Sequence, residues 1–545
     1  STAVALALER KTRVLVSTAT VALQEQLIHK DLPALAAAMA QPFVYALAKG
    51  RGRYVCKVKL ERVAGTGNGD EDFFDDDYPA TALSTASQQA MEERRIQFYD
   101  HMANLLSAER WDGDRDSLGQ PPDPGDWATV AAERHTCTAR HCPQYKQCSY
   151  YQARSKLAEA QVIVANHDLV LSSLGLKTLP DLDKCLVVFD EGHHLPAVAL
   201  DQFSSAMDMS HLRWLDRLPR TMLDVATRLE LRLEEDITTV SSQLKTVLNQ
   251  TQKLTLDMVY QSTNGADGTL RFADGVLPEP LHETMGQIHA QAGGLEKALE
   301  ALATEVKAVA KEDPAKAVLC ANLYSKLGAM APRLSSLVST AQLLLEHGEQ
   351  PLAKWLQVNS ENGHLTLSAH ACPMVPGDLL RQHLWREVRG AVLTSASLTS
   401  CGSFGYFLQE AGLDGNPNVS ALEVASPFDY ARQGTLTVVH TRSEPKQAEA
   451  FTAEMVQLLL HDLELVQHGA LALFTSRAQM RAATQALPAH LLESVLVQGT
   501  HSRTRLLATH TARVEAGLPS VLFGLQSFGE GLDLPGTLCE TVFIC

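Results

Sequence analysis

Short apolar runs alternate with longer amphipathic stretches along the chain. Seven of the runs are β-branched or aliphatic: Val14–Val16, Val162–Ala165, Leu186–Phe189, Ala391–Leu393, Leu471–Phe474, Val495–Val497 and Val521–Phe523. A turn and a helical pattern follow each one. Runs this short and this apolar suit parallel strands covered on both faces. Four precede residue 400 and three follow residue 470, which predicts two α/β domains. Ala3–Leu8 reads as an apolar helix and Thr541–Cys545 as a buried strand cut off in mid-run. A domain seldom stops on an exposed central strand, so the chain is expected to be a fragment of a longer protein.

Two stretches break the rhythm. Residues 50–150 hold an acidic run at 70–77, a Pro/Gly/Asp segment at 119–126 and four cysteines. Residues 200–350 are helical in pattern. Leu229, Leu233, Ile237, Val240, Leu244 and Val247 step by three or four residues, as on one packed helix face. No fixed-period repeat is visible.

Composition narrows the choices. At 45% hydrophobic residues, the 545-residue chain is too apolar for disorder. No run of 18 apolar residues could span a bilayer. A net charge of −16 excludes nucleic-acid wrapping by bulk positive charge, so any polyanion must meet a local basic patch. Basic residues do cluster around the cysteines. Lys49, Arg51, Arg53, Lys57, Lys59 and Arg62 flank Cys56, and Arg134, Arg140, Lys146, Arg154 and Lys156 bracket the other three. Tyr54, Tyr145, Tyr150 and Tyr151 lie among them and offer stacking surfaces for bases; a solvated basic face is the alternative.

Cys137, Cys142 and Cys148 are spaced Cys-x4-Cys-x5-Cys, with Cys56 upstream. Four soft thiolates suit Zn²⁺ or an iron–sulfur cluster, and spacing alone separates neither these two nor a set of free thiols. Asp190-Glu191-Gly192-His193 follows directly on Leu186–Phe189. That places two carboxylates at the carboxyl edge of a parallel sheet, where such folds bind ligands. One can hold Mg²⁺ on a nucleoside triphosphate while the next activates water. Ser17-Thr-Ala-Thr20, Thr394-Ser-Ala-Ser-Leu398 and the glycine-bearing Gly524–Asp533 each follow a buried strand in the same way.

This ordered set resembles the XPD-like branch of superfamily 2 helicases, most closely the bacterial DinG-type ATP-dependent DNA helicases, over nearly the whole chain. Ser17–Gln26 is similar to motif Ia, Asp190–His193 to the DEAH (Walker B) box, and Thr394–Leu398 to motif III. Leu473–Arg477 resembles motif IV and Gln526–Asp533 motif V, while Gly50–Cys56 with the later three cysteines matches the family's [4Fe–4S] pattern. Ser397 stands where the family usually has Thr.

The resemblance implies two RecA-like (P-loop NTPase) parallel-sheet motor domains, with an iron–sulfur domain and a helical arch inserted in the first. The expected segments are 1–48, 156–200 and 356–402 for motor domain 1, 49–155 for the iron–sulfur domain, 201–355 for the arch and 403–545 for motor domain 2. It implies catalysis by Asp190, Glu191 and His193, nucleotide contacts from Gly531 and Asp533, and coupling through Thr394 and Ser395. DNA contacts fall to Thr18, Thr20, Arg51, Arg53, Ser476 and Arg477, and cluster ligation to Cys56, Cys137, Cys142 and Cys148. The implied protein is a cytoplasmic, monomeric 5′–3′ DNA helicase using ATP and Mg²⁺ on single-stranded and forked DNA, with no membrane partner; RNA–DNA hybrids stay open as substrates. A metal-stapled single-strand-binding or nuclease relative is the alternative. The chain contains no Gly-x-x-x-x-Gly-Lys-[Ser/Thr] loop and no motif VI arginine segment, so by itself it is expected to hydrolyse ATP negligibly.

Overall fold

The structure is a computed structural model describing residues 1–64, 85–176, 178–233, 236–263, 268–348, 351–361, 364–529 and 532–545. The acidic run at 70–77 lies outside the described residues. Two compact units divide the chain: Ser1–Ser17, Ala46–Ser117 and Pro122–Asp414 form the first, and Thr18–Tyr45, Leu118–Pro121 and Gly415–Cys545 the second.

Strands β1 (Arg13–Thr18), β2 (Tyr45–Leu47), β3 (Val162–Asn166) and β4 (Cys185–Asp190) begin the first sheet. The chain then leaves it for a helical region and for β5 (Ser205–Asp208), β6 (Gly268–Arg271), β7 (Leu352–Glu361) and β8 (His364–Pro373). It returns as β9 (Gly390–Thr394), giving the order β2-β3-β1-β4-β9 with β4 parallel to both β1 and β9. Leu15, Ile163, Val187 and Phe189 pack into one apolar core beneath it. Edge strand β9 departs from the expected two-sided cover, and its Val392 is 47% exposed.

The second unit carries β10 (Gly469–Leu473), β11 (Val495–Val497), β12 (Ser520–Gly524) and β13 (Thr541–Ile544), all parallel in the order β11-β12-β10-β13. Alternate residues enter opposite cores: Ala470, Ala472, Val521 and Phe523 on one face, Leu471 and Leu522 on the other. That is why these strands read as continuous apolar runs. β13 forms as expected, but at the sheet edge with Val542 and Ile544 exposed rather than buried.

The helical region contains Trp214–Arg228, Ile237–Thr263, Glu279–Glu312, Ala317–Gly328 and Ala331–Leu345. The stripe from Leu229 to Val247 is not one helix: the chain breaks at Leu229–Glu230, where Glu230 has φ 55°, and the next helix starts at Ile237. The apolar spacing carries across the break because Leu229, Ile237, Leu244 and Val247 enter the same core. An antiparallel sheet, β5-β8-β7-β6, packs on these helices. Leu356, Val358, Leu367, Ala369 and Ala371 join the helical core, so the expected segment boundary at 355/356 runs through β7.

Residues 49–155 have a small core of their own. Tyr54, Leu60, Tyr99, Met102, Trp111, Trp127 and Val130 are buried, and bridges Tyr54–Asp114 and Val55–Ala131 close the segment.

Candidate nucleotide and DNA site

Strand β4 delivers Asp190 to the sheet's carboxyl edge, level with Thr394 at the end of β9. The chain then turns sharply at Glu191, which adopts a left-handed conformation with φ 51°. Such a conformation is costly for a residue with a Cβ and is kept only where surroundings hold it. Gly192 permits the turn to press against β9, since a Cβ there would sit 3.3 Å from that of Leu393.

Ser395 closes the arrangement. Its hydroxyl donates to Glu191 Oε2 at 3.0 Å and lies 2.7 Å from His193 Nδ1. With the hydroxyl proton directed at Glu191, the short contact to His193 requires Nδ1–H to donate. Glu191 and His193 are themselves 3.4 Å apart and about a third exposed. The turn therefore joins two strand ends through a carboxylate, a hydroxyl and an imidazole while staying open to a ligand.

Cys56, Cys137, Cys142 and Cys148 line a single cavity with Arg51, Lys57, Tyr145 and Tyr151. Burial first, and then the neighbouring cysteine sulfurs, push the Cys56 and Cys148 thiols up, and Cys142 up to about 11. Among the described residues no three His, Cys, Asp or Glu side chains close around one point as a single metal ion needs. The thiols surround a space instead.

The basic residues of this segment are mostly engaged within it. Lys49 Nζ donates to Asp114 at 2.6 Å and Asp116 at 2.8 Å, Arg53 pairs with Asp116 at 3.0 Å, and Lys59 with Glu133 at 2.9 Å. Arg51 lies over the Tyr150 ring at 4.4 Å. Tyr54 and Tyr150 are each only 7% exposed, so as placed these two are core rings rather than open stacking surfaces. A second cavity is lined by Lys49, Arg51, Arg134 and Arg154 together with Tyr54 and Tyr150.

Thr18 is buried and donates to the Thr20 carbonyl, while Thr20 caps the helix Val21–Gln26 by accepting from Leu23 N–H. Ser476 caps Arg477–Gln485, and both Ser476 and Arg477 are exposed. Asp533 pairs with Lys30, and Gly531 lies outside the described residues.

Comparison with known proteins decides the family. The description "DEAD_2" matches residues 137–212 and "Helicase C-terminal domain" residues 459–545. The ATP-dependent DNA helicase DinG of Photobacterium profundum is 32% identical over 99% of this chain and 77% of its own length. That of Escherichia coli K12 is 32% identical over 99% and 76%. The chain belongs to the DinG family of ATP-dependent DNA helicases. A solved XPD helicase structure covers 98% of this chain and 77% of its own, at 11% identity and TM-score 0.42. Membership in the DinG family brings with it the enzyme class, ATP as substrate with Mg²⁺ as its accompanying ion, DNA as the polymer acted upon, and the two RecA-like sheets described above. Among the described residues no helix is long and apolar enough to cross a membrane.

Within this DinG-family chain the structure adds residues that motif reading misses. His167 opens the helix after β3, and its Nδ1 lies 2.7 Å from Ser17 Oγ. Gln498 accepts from Leu525 N–H at 2.8 Å and donates to Ser527 Oγ at 2.9 Å, bracing the start of the short helix Gln526–Gly529. Both lie where Asp190 does, at the carboxyl end of a strand: His167 directly after β3, and Gln498 directly after β11, of which only Val495 is buried.

Proposed function

We propose that Asp190 holds the Mg²⁺ of bound ATP, that Glu191 orients and deprotonates the attacking water, and that His193 with Ser395 carries the state of the nucleotide to the end of β9 at Thr394. The observation that supports this is the bonded Glu191–Ser395–His193 set at the carboxyl ends of β4 and β9. It fixes a carboxylate in a strained turn and ties it to a second strand, as a hydrolysis-driven switch requires. Gly531 and Asp533, in the second unit, are proposed as nucleotide contacts of their own.

DNA is proposed to meet exposed Ser476 and Arg477, the helix start at Thr20, and the cavity carrying Arg51, Arg134 and Arg154. Arg53, 41% exposed while paired with Asp116, is proposed as a further DNA contact, and buried Thr18 supports Thr20 by donating to its carbonyl. The substrates are single-stranded and forked DNA engaged by a monomer moving 5′ to 3′.

Cys56, Cys137, Cys142 and Cys148 are proposed to hold a [4Fe–4S] cluster. The fit rests on four thiols lining one cavity and partly buried, with Cys56, Cys142 and Cys148 held more firmly protonated by burial and then by neighbouring sulfurs, a donor set that suits thiophilic iron. Bound there, the cluster supplies thiolate bonds that cross-link Cys56 to residues 137–148.

The test is Glu191→Gln in the full-length protein. DNA-stimulated ATP hydrolysis and fork unwinding should both fall by about 10²- to 10⁴-fold, the usual contribution of a general base, with nucleotide binding retained. Unwinding within threefold of wild type would remove the motor role assigned to this turn.

A further inference from the structure

A buried imidazole stands between two turns to which the proposed function gives different tasks. His167 is fully shielded from solvent. Its Nδ1 meets Ser17 Oγ at 2.7 Å, at the carboxyl end of β1, one residue before Thr18. Its ring packs at 5.8 Å from Phe189, the residue before Asp190, and lies against the backbone of Asp190 and Glu191. Nε2 is shielded as well and completes no hydrogen bond. Buried polar atoms without a partner are uncommon and call for an explanation. Here the orphaned nitrogen belongs to a side chain that touches both the end of β1 and the β4 turn.

We propose that His167 is a positioning residue that couples the Ser17–Thr20 turn to the Asp190–Glu191 turn, so that a DNA strand engaged at the first resets the backbone of the second. This rests on the functional reading above and deepens it, because it names the route by which DNA stimulates hydrolysis. Burial favours the neutral imidazole, pushing its pKa down to about 4. A neutral ring has one donor and one acceptor nitrogen. The nitrogen facing Ser17 has its partner, and the Asp190 and Glu191 backbone lies within reach of the ring although Nε2 closes no bond of ordinary geometry, so a small shift of that backbone makes or breaks the second contact. The structure thus holds one short bond, to Ser17, and one loose backbone contact, to Asp190 and Glu191, on a single rigid ring. A side chain of this kind can have two arrangements whose balance either turn biases.

The experiment compares full-length wild type with His167→Asn, His167→Leu, Ser17→Ala and the double variant Ser17→Ala/His167→Leu. The readout is the factor by which single-stranded DNA raises the ATPase rate, measured beside DNA affinity and thermal midpoint. The stimulation factor should fall by about 2- to 30-fold in His167→Leu and Ser17→Ala, the range seen for residues that carry coupling. The double variant should lose no more than the larger single loss, and His167→Asn should recover part of it. Three results would each overturn the proposal: an unchanged factor, additive losses in the double variant, or equal falls in basal and stimulated rates with a lowered midpoint. Glu191→Gln runs alongside as a control. If it keeps DNA-stimulated hydrolysis, the functional reading itself fails. If it loses hydrolysis while the His167 and Ser17 variants keep the full stimulation factor, only the coupling route fails.

Discussion

Ser395→Ala removes one oxygen and tests the catalytic turn most directly. That hydroxyl donates to Glu191 at 3.0 Å, contacts His193 Nδ1 at 2.7 Å and accepts from Ser397 N–H at 3.3 Å. A hydrogen bond to a charged carboxylate contributes about 1.5–3 kcal/mol when buried. Glu191 and His193 retain 30% and 27% exposure, so water replaces part of the loss and about 1–2 kcal/mol is the reasonable expectation. Against this stands the left-handed backbone of Glu191, which costs about 1–2 kcal/mol for a residue with a side chain. The retained bond and the strain are of similar size, so the variant should let the turn relax and carry Glu191 away from its water.

The expected result is a kcat for DNA-stimulated ATP hydrolysis about 5- to 30-fold lower, at 1.36 kcal/mol per tenfold, with KM for ATP little changed. Strand separation of a forked duplex should fall at least as far, because the same oxygen links β4 to β9. Ser395→Thr keeps the hydroxyl and should recover most of both activities. A Ser395→Ala protein with kcat within twofold of wild type would refute the idea that this hydroxyl holds the turn.

Other perturbations reach separate parts of the molecule. Cys142→Ser should abolish broad visible absorbance and bound iron and sulfide in anaerobically purified protein, and open residues 49–155 to protease while the two parallel sheets stay protected; colourless wild-type protein with stoichiometric zinc would overturn the cluster assignment. Lys49→Met leaves Asp114 and Asp116, 12% and 16% exposed, with fewer partners. Arg53 still serves Asp116, so a loss of about 2–4 kcal/mol is expected, less than the full cost of breaking a buried pair, read as earlier unfolding of the same segment. A Cβ at Gly328 would overlap the backbone of His135; Gly328→Val should cost about 1–3 kcal/mol by overpacking and lower the thermal midpoint, whereas Gly286→Val, with open space around it, should show only its helix-propensity effect. His510 is buried, with Nε2 2.8 Å from the Leu538 carbonyl and Nδ1 2.9 Å from Ser520 Oγ, and burial holds its pKa below the usual histidine value. Below that usual value the unfolded chain takes up a proton that the folded chain declines, so stability falls as pH drops. The denaturant midpoint of wild type should fall more between pH 7 and 5 than that of His510→Gln, and equal slopes would contradict the assignment.

Legibility followed burial. β3, β10 and β12 announced themselves because strands covered on both faces are short and apolar throughout, as Leu471 and Leu522 on one face and Ala472 and Phe523 on the other illustrate; β1 and β4 did so because their less covered faces are apolar as well, as at Leu186 and Val188. The antiparallel sheet did not, since β7 and β8 alternate core residues such as Leu356 and Val358 with polar ones, and the chain there resembles either a motor strand or a loop. Local charge misled for a different reason. Lys49, Arg53 and Lys59 form a basic cluster in sequence, but Asp114, Asp116 and Glu133, about 60 to 75 residues later, meet them in space. A one-dimensional count of positive charge cannot register partners at that distance, so it overstated the free basic surface.

The catalytic turn was legible as chemistry but not as a network. Asp190 and Glu191 stand out because carboxylates directly after a buried strand must emerge at the sheet's carboxyl edge. Nothing in residues 185–194 says that Ser395, some two hundred residues on, supplies the hydroxyl that holds Glu191; only the return of β9 beside β4 does so. The same reasoning could have reached His167. β3 is the most deeply buried strand of its sheet, with Val162, Ile163, Val164 and Ala165 all wholly shielded, and the residues that follow it, Asn166 and His167, are polar. In a doubly covered sheet every strand end projects into the same rim, so a polar residue after any one strand lies near the polar residues after its neighbours. Because β1 lies between β3 and β4, Ser17, His167 and Asp190 had to converge once the strand order was known. The information absent from the sequence was thus the order of the strands rather than the identity of the residues.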